Sequence, residues 1–164
     1  MDRLWTPWRY QYISGASGGE KKVEPDCVFC PIAADSASDE QNFVLHRAQF
    51  NFILLNLYPY TSGHLMIVPY AHAADLDALP KGTTDELMDL AKRAQGVLRD
   101  AYRPEGMNFG FNLGRAGGAG VAGHVHLHAL PRWLGDVNFM TTVGETRVLP
   151  EDLPMTYNRL LGKF

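Results

Sequence analysis

The chain has only two cysteines in 164 residues, Cys27 and Cys30. A secreted disulfide scaffold needs more than one close pair, so that class is excluded. No apolar run approaches the roughly 20 residues of a membrane helix. There is no excess of positive charge either: 15 Lys and Arg stand against 18 Asp and Glu, for a net charge of −3. No global basic field therefore recruits nucleic acid or an anionic membrane. A small polyanionic ligand stays open, because its site needs only local donors. The opening MDRLWTPWRYQYI mixes aromatic and charged residues instead of pairing a basic stretch with an apolar one. It does not read as a secretory signal. The expectation is a soluble cytoplasmic protein without nucleic-acid or membrane partners.

What the chain does have is 46% hydrophobic residues, enough for one ordinary core. It also has the run HVHLHALPRW at 124–133. His124, His126 and His128 occupy every second position. In a strand alternate side chains share a face, so the three imidazoles would line up while Val125, Leu127 and Ala129 fill the other side. One histidine in an apolar strand is usually a packed core residue. Three on one face are hard to explain as packing, and histidine can act as nucleophile, proton shuttle or metal ligand.

Around this run the chain divides into three parts. Residues 1–26 hold an aromatic segment (Leu4, Trp5, Trp8, Tyr10, Tyr12, Ile13) and a Gly/Ser-rich linker. So many aromatics are expected to dock on the core or on another subunit. Residues 27–133 hold the regular elements. Phe43–His46, Phe50–Leu55, His64–Val68 and Met107–Leu113 read as strands, divided by turn chemistry such as Pro59 and Ser62-Gly63. Thr84–Tyr102 reads as the one long helix, from the stripe Leu87, Leu90, Ala91, Ala94, Val97, Leu98 and Ala101. Thr83 and Glu86 suggest a capping box at its start, and Pro104 a stop. Adjacent strands with few helices favour an α+β fold with an antiparallel sheet over βαβ units. Residues 134–164 form a C-terminal extension in which only ordered loops are legible.

Two further features bear on chemistry. Gly114–Gly123, GRAGGAGVAG, places five glycines in ten residues just before the histidines. Its amides can form an anion-binding nest, although an ordinary hairpin would look the same. It is neither a P-loop nor a dinucleotide fingerprint. Cys27-x-x-Cys30 is open to three readings: a redox pair, half a zinc site, or coincidence. Other residues are ambiguous. Trp133 can stack on a base or belong to a dimer core. Arg132 can meet phosphate or be an ordinary surface arginine. His46 is as readily surface as near a ligand, and His64 reads as a structural hydrogen-bonding residue.

The motif His124, Val125, His126, Leu127, His128, Ala129, Leu130 after a glycine-rich loop resembles that of the histidine triad (HIT) family of nucleotidyl hydrolases and transferases. Asn56, eight residues before His64 in NLYPYTSGH, and the strand HLMIVPYAH strengthen the likeness. The flanks LWTPWRYQYI, CVFC, PRW and DVNFMTTVGETRVLPE are similar to those of the branch that phosphorolyses diadenosine tetraphosphate.

The resemblance implies a sheet of about five strands with one long and one short helix, and a homodimer or homotetramer. It implies a dinucleoside polyphosphate and inorganic phosphate as substrates. His126 would be the nucleophile, with His128 handling phosphate oxygens and protons. Asn56 would contact ribose. Asn112 and the loop amides of Gly118, Ala119 and Gly120 would stabilise phosphoryl charge, with Trp133 as a further nucleotide contact. In zinc-containing members, histidines corresponding to His72 and His124 complete a structural Cys2His2 set with Cys27 and Cys30.

There is one departure. Many hydrolases of the family have Gln where this chain has Gly120, and the phosphorylase branch has a small hydroxyl residue there. The missing Gln leaves room for a second anion; the missing hydroxyl removes a donor to it.

Overall fold

The computed structural model describes residues 27–146 and 148–164; the aromatic segment and linker of 1–26 lie outside them. Five strands form one antiparallel sheet in the order β1-β2-β3-β5-β4: β1 Val44–Arg47, β2 Asn51–Leu55, β3 Leu65–Pro69, β4 Gly106–Phe111 and β5 Leu127–Arg132. Helix α1 spans Phe29–Ala34, α2 Lys81–Tyr102, α3 Phe139–Val143 and α4 Leu153–Leu160. Every residue of NFILL and LMIVP is buried. Such continuous apolar strands need cover on both faces, and they have it. Ile53, Leu55, Leu65, Ile67, Leu127 and Ala129 pack under the α2 stripe Leu87, Leu90, Ala91, Ala94 and Leu98. Phe52, Leu54, Met66 and Val68 face the other way, against Phe29 and Val44.

β5 pairs with β3 through Met66↔His128 and with β4 through Gly110↔His128. The alternation puts His128 on the face away from α2. The strand starts three residues later than the first histidine; ahead of it, the amide of Val125 donates to the Ala73 carbonyl at 2.7 Å.

Three local expectations change. Helix α2 begins at Lys81, after Pro80, and there is no capping box. Thr83 is buried inside the first turn, and the Glu86 carboxylate instead accepts from the Gln49 and Phe50 amides and from Asn51 Nδ2. A tertiary donor set outweighed the local cap. The helix does end before Pro104, with Arg103 in the left-handed region.

The C-terminal extension is more than loops. Asn138 and Asp152 cap α3 and α4 through their side chains, and Tyr157 and Leu160 of α4 enter the main core. The described residues therefore hold three short α-helices where one was expected. In the glycine-rich loop, a Cβ on Gly117 would collide with the Leu113 carbonyl, and Gly118 has φ +90°. Both positions need glycine.

Candidate active site

His124, His126 and His128 are all buried, and each is tied by a different bond. His124 Nε2 donates to the Pro69 carbonyl at 2.9 Å. Its Nδ1 lone pair therefore faces Cys27 Sγ at 3.2 Å and Cys30 Sγ at 3.8 Å. His126 Nδ1 donates to the His124 carbonyl at 2.8 Å, which leaves Nε2 as its unprotonated, nucleophilic nitrogen. Burial lowers its pKa, opposed by that bond, so the ring is neutral at neutral pH.

A relay fixes His128. The Tyr60 amide donates to His64 Nδ1 at 3.1 Å, so His64 holds its proton on Nε2. That nitrogen lies 2.9 Å from His128 Nδ1, which accepts. His128 is thus protonated on Nε2 and ready to donate. Burial, then the neighbouring His126, pushes its pKa down to about 4. Burial, then His128 and His126, pushes His64 down to about 3. The Phe29 ring lies 5.0 Å from that of His126, and the His126 and His128 rings are 4.8 Å apart.

The structure brings the predicted metal set together. Ligand atoms of Cys27, Cys30, His72 and His124 all lie within 4.8 Å of one another. Cys30 Sγ is 3.3 Å from His72 Nδ1. Zinc–sulfur and zinc–nitrogen bonds of the usual length separate tetrahedral ligand atoms by roughly 3.3–3.8 Å. The donor set fits zinc, and the His124 Nε2–H···O=C bond is the outer support that a ligating imidazole usually has.

The other expected residues are placed as follows. Asn56 is buried; its Oδ1 accepts from the Tyr58 amide at 2.9 Å, and its Nδ2 lies 3.4 Å from His64 Nδ1. Asn112 is half-buried just beyond β4. The amides of Gly118 and Ala119 donate within the loop, to Arg115 and Gly114 carbonyls, and Gly120 is exposed. Trp133 packs edge-on to Tyr102 and lines a cavity beyond Tyr60.

Arg132 is held by Asp136 and Asn108. His46 lies against Phe164. His64 does form structural hydrogen bonds, but its partner is His128 itself. Sequence reasoning missed Tyr60 and Phe29, whose contacts with the histidines arise only from the folded arrangement. The spacing of Tyr60, four residues before His64, was the only available signal.

These histidines, at the start of β5 and just before it in a five-stranded α+β fold, form a cluster of the histidine triad kind. The HIT domain family model matches residues 38–133, and the chain belongs to that family. It is 39% identical to the AP-4-A phosphorylase of Mycobacterium tuberculosis over 99% of this chain and 83% of that protein. It is 30% identical to the adenosine 5′-monophosphoramidase HNT1 of Saccharomyces cerevisiae, over 67% of this chain and 65% of that one. Among solved structures, a Zn-bound histidine triad family protein from Mycobacterium smegmatis aligns with a TM-score of 0.68 at 27% identity. That alignment covers 84% of this chain and 92% of the other. No helix among the described residues is long and apolar enough to cross a membrane.

Proposed function

We propose that this protein phosphorolyses diadenosine tetraphosphate to ATP and ADP through a nucleotidyl-histidine intermediate. The observation that carries the reading is the His126 tautomer. Its Nδ1–H is committed to the His124 carbonyl, so Nε2 keeps its lone pair for phosphorus. The similarity to the mycobacterial phosphorylase over nearly the whole chain supports the choice of substrate.

His126 Nε2 attacks the α-phosphorus and forms a P–N bond as the P–O bond to the polyphosphate breaks. The His128 Nε2–H donates a hydrogen bond to the departing oxygen, which takes the electron pair of the P–O bond, and ATP leaves as its anion. The His126 ring, cationic while substituted, is steadied by its Nδ1–H bond to the His124 carbonyl. An oxygen of inorganic phosphate then attacks the same phosphorus. The electron pair of the P–N bond returns to Nε2, and ADP leaves. Asn112 and the loop at Gly118–Gly120 are the proposed donors to the phosphoryl oxygens, with Asn56 toward ribose and Trp133 toward the nucleotide. With the Gly118 and Ala119 amides engaged inside the loop, that donation needs the loop to adjust on binding.

Zinc held by Cys27, Cys30, His72 and His124 supplies a structural cross-link, not a reacting group. A reducing cytoplasm keeps both thiols available as ligands. We also assign the protein a homodimeric or homotetrameric state, since β4 forms one edge of the sheet and most of its residues are exposed. Light scattering tests that assignment.

A second reading has its own support. Gly120 lacks the hydroxyl of the phosphorylase branch, and the yeast relative is a monophosphoramidase. Water as acceptor would give AMP from a dinucleoside polyphosphate or a phosphoramidate. A non-catalytic nucleotide sensor would have no use for the His126 arrangement. The deciding experiment is product analysis of diadenosine tetraphosphate with and without inorganic phosphate. ATP and ADP formed only with phosphate support the proposal. AMP formed regardless of phosphate makes the protein a hydrolase.

A further inference from the structure

Phe29 stands between the two cysteines of the metal cluster in Cys27-x-x-Cys30. Its neighbour Val28 is 53% exposed, whereas Phe29 is only 4% exposed. The Phe29 ring centroid lies 5.4 Å from that of His124, edge-on, and 5.0 Å from that of His126, tilted at 54°. Both separations are those of packed aromatic pairs. One side chain from the cysteine turn therefore touches an imidazole of the metal cluster and also the proposed nucleophile.

Phe29 also opens α1, which has six residues and no side-chain cap at its start. So short a helix does not hold itself. Its far end is tied by Arg47, which donates to the carbonyls of Ile32, Ala33 and Asp35 at 2.7–3.2 Å. Its near end is tied by the thiols: Cys27 Sγ is 3.2 Å from His124 Nδ1, and Cys30 Sγ is 3.3 Å from His72 Nδ1. The apolar cluster that Phe29 shares with Phe52, Leu54 and Met66 supports the ring from the sheet side. His126 is held in turn by one hydrogen bond, from Nδ1 to the His124 carbonyl. A single bond leaves an imidazole free to tilt about it, and the Phe29 ring is packed where it limits that tilt. Close packing passes small displacements from one side chain to the next.

We infer that Phe29 is a positioning residue for His126: the Cys27–Cys30 turn of the metal cluster holds its ring against the imidazole and so sets the aim of Nε2 at phosphorus. The inference rests on the reading of His126 as nucleophile. It couples the order of the metal cluster to the rate of the first chemical step, with no cluster residue except His124 in contact with His126. A misplacement of about 1 Å at a reacting group can cost on the order of 10²-fold in rate.

The test uses Phe29→Leu, which keeps the position apolar and mostly filled but removes the ring. The first step is read as label transferred from diadenosine tetraphosphate to protein in a single turnover, and binding as the Kd for adenosine 5′-monophosphate. The His126 Cε1–H resonance, assigned by its loss in His126→Asn, reports the surroundings of the ring without substrate. Zinc-loaded Phe29→Leu is expected to slow transfer about 10- to 100-fold, with Kd within about twofold of wild type. Zinc removal by chelator, below the unfolding temperature of the metal-free protein, is expected to shift that resonance in wild type and slow transfer by about tenfold or more. In Phe29→Leu the same removal should slow transfer by less than about threefold further, because changes along one chain of contacts are not additive. Transfer at the wild-type rate in folded Phe29→Leu overturns the inference. So does a raised Kd at an unchanged rate, which makes Phe29 a nucleotide contact. Zinc removal that slows both proteins by the same factor, or leaves the resonance of wild type unmoved, overturns it as well. In each of these cases the nucleophile reading stands. If wild type takes no label, that reading fails and the inference falls with it.

Discussion

His64 Nε2 donates to His128 Nδ1 across 2.9 Å, joining the residue before β3 to a position inside β5. This one bond sets the tautomer of His128 and so decides which of its nitrogens carries the proton. Both rings are kept neutral mainly by burial, His64 down to about 3 and His128 down to about 4.

The pH dependence of stability follows. In the unfolded chain both groups titrate near 6.5. Between that value and their folded values, the unfolded chain binds more protons than the fold. The contribution to stability is complete above pH 6.5 and is lost as pH falls toward the folded pKa values. Each histidine that stays neutral adds a slope of about 1.4 kcal/mol per pH unit within that window. Denaturant titrations between about pH 7 and 5 measure the slope. His64→Gln, which keeps an amide donor toward His128, is expected to reduce it. A slope unchanged from wild type would count against neutral burial of His64.

His126→Asn is expected to lower kcat by at least about 10³-fold while nucleotide still binds. Enzyme labelled from substrate and quenched in alkaline detergent gives the direct readout. Wild type should carry a nucleotidyl group stable to denaturation but not to acid hydrolysis, and the variant none. Labelled variant protein would remove His126 from the nucleophile's role.

Much of this site was legible from alternation alone. Period-two spacing pointed to three histidines on one strand face, of which β5 itself holds only His128, and the runs NFILL and LMIVP read as strands because a twice-covered strand is almost continuously apolar. The α2 stripe was equally plain. Its start was not, because the partners of Glu86 lie 35–37 residues away and no local window contains them. Helix α4 has only eight residues, too few for a firm period, although Asp152 and Pro154 carried its start signal. The metal set was legible only through family likeness. Cys27 and His124 stand 97 residues apart, and no spacing rule reaches that far. Phe29 and Tyr60 touch the histidines through tertiary packing that sequence pattern does not encode.

Zinc removal offers an independent check on the Cys27, Cys30, His72, His124 cluster. Metal analysis of protein purified without chelator is expected to find one zinc per chain. With free metal at about 100 times its dissociation constant, binding adds about 2.7 kcal/mol of stability. For a chain of this size its loss lowers Tm by roughly 5–11 °C. Cys30→Ser should lose both the metal and the chelator sensitivity. Full stability without metal and with both thiols free would leave the cluster without zinc.

Glu86 anchors the β1–β2 turn to α2 through the amides of Gln49 and Phe50 and the side chain of Asn51, at 2.8–3.0 Å. Glu86→Ala is expected to cost about 2–3 kcal/mol, since hydrogen bonds to a charged acceptor are among the stronger ones. Glu86→Gln should recover part of that. Urea unfolding measures both, and a loss below about 0.5 kcal/mol would place the turn's stability elsewhere.

The glycine-rich loop separates two kinds of glycine. Gly117 has the Leu113 carbonyl where a Cβ would stand, and the obstacle is backbone that does not move aside. Gly117→Ala must rebuild the turn and is expected to cost about 1–3 kcal/mol. At Gly120 a Cβ meets nothing within 4 Å and φ is not positive. Gly120→Ser should therefore leave Tm within about 2 °C of wild type. It also restores the hydroxyl found in the phosphorylase branch. If inorganic phosphate is the acceptor, that hydroxyl lowers KM for phosphate several-fold and leaves the first, nucleotidyl-histidine step at its wild-type rate. If water is the acceptor, phosphate has no KM to lower, and the serine changes only the rate at which AMP appears. Burst kinetics at varied phosphate concentration separate the two.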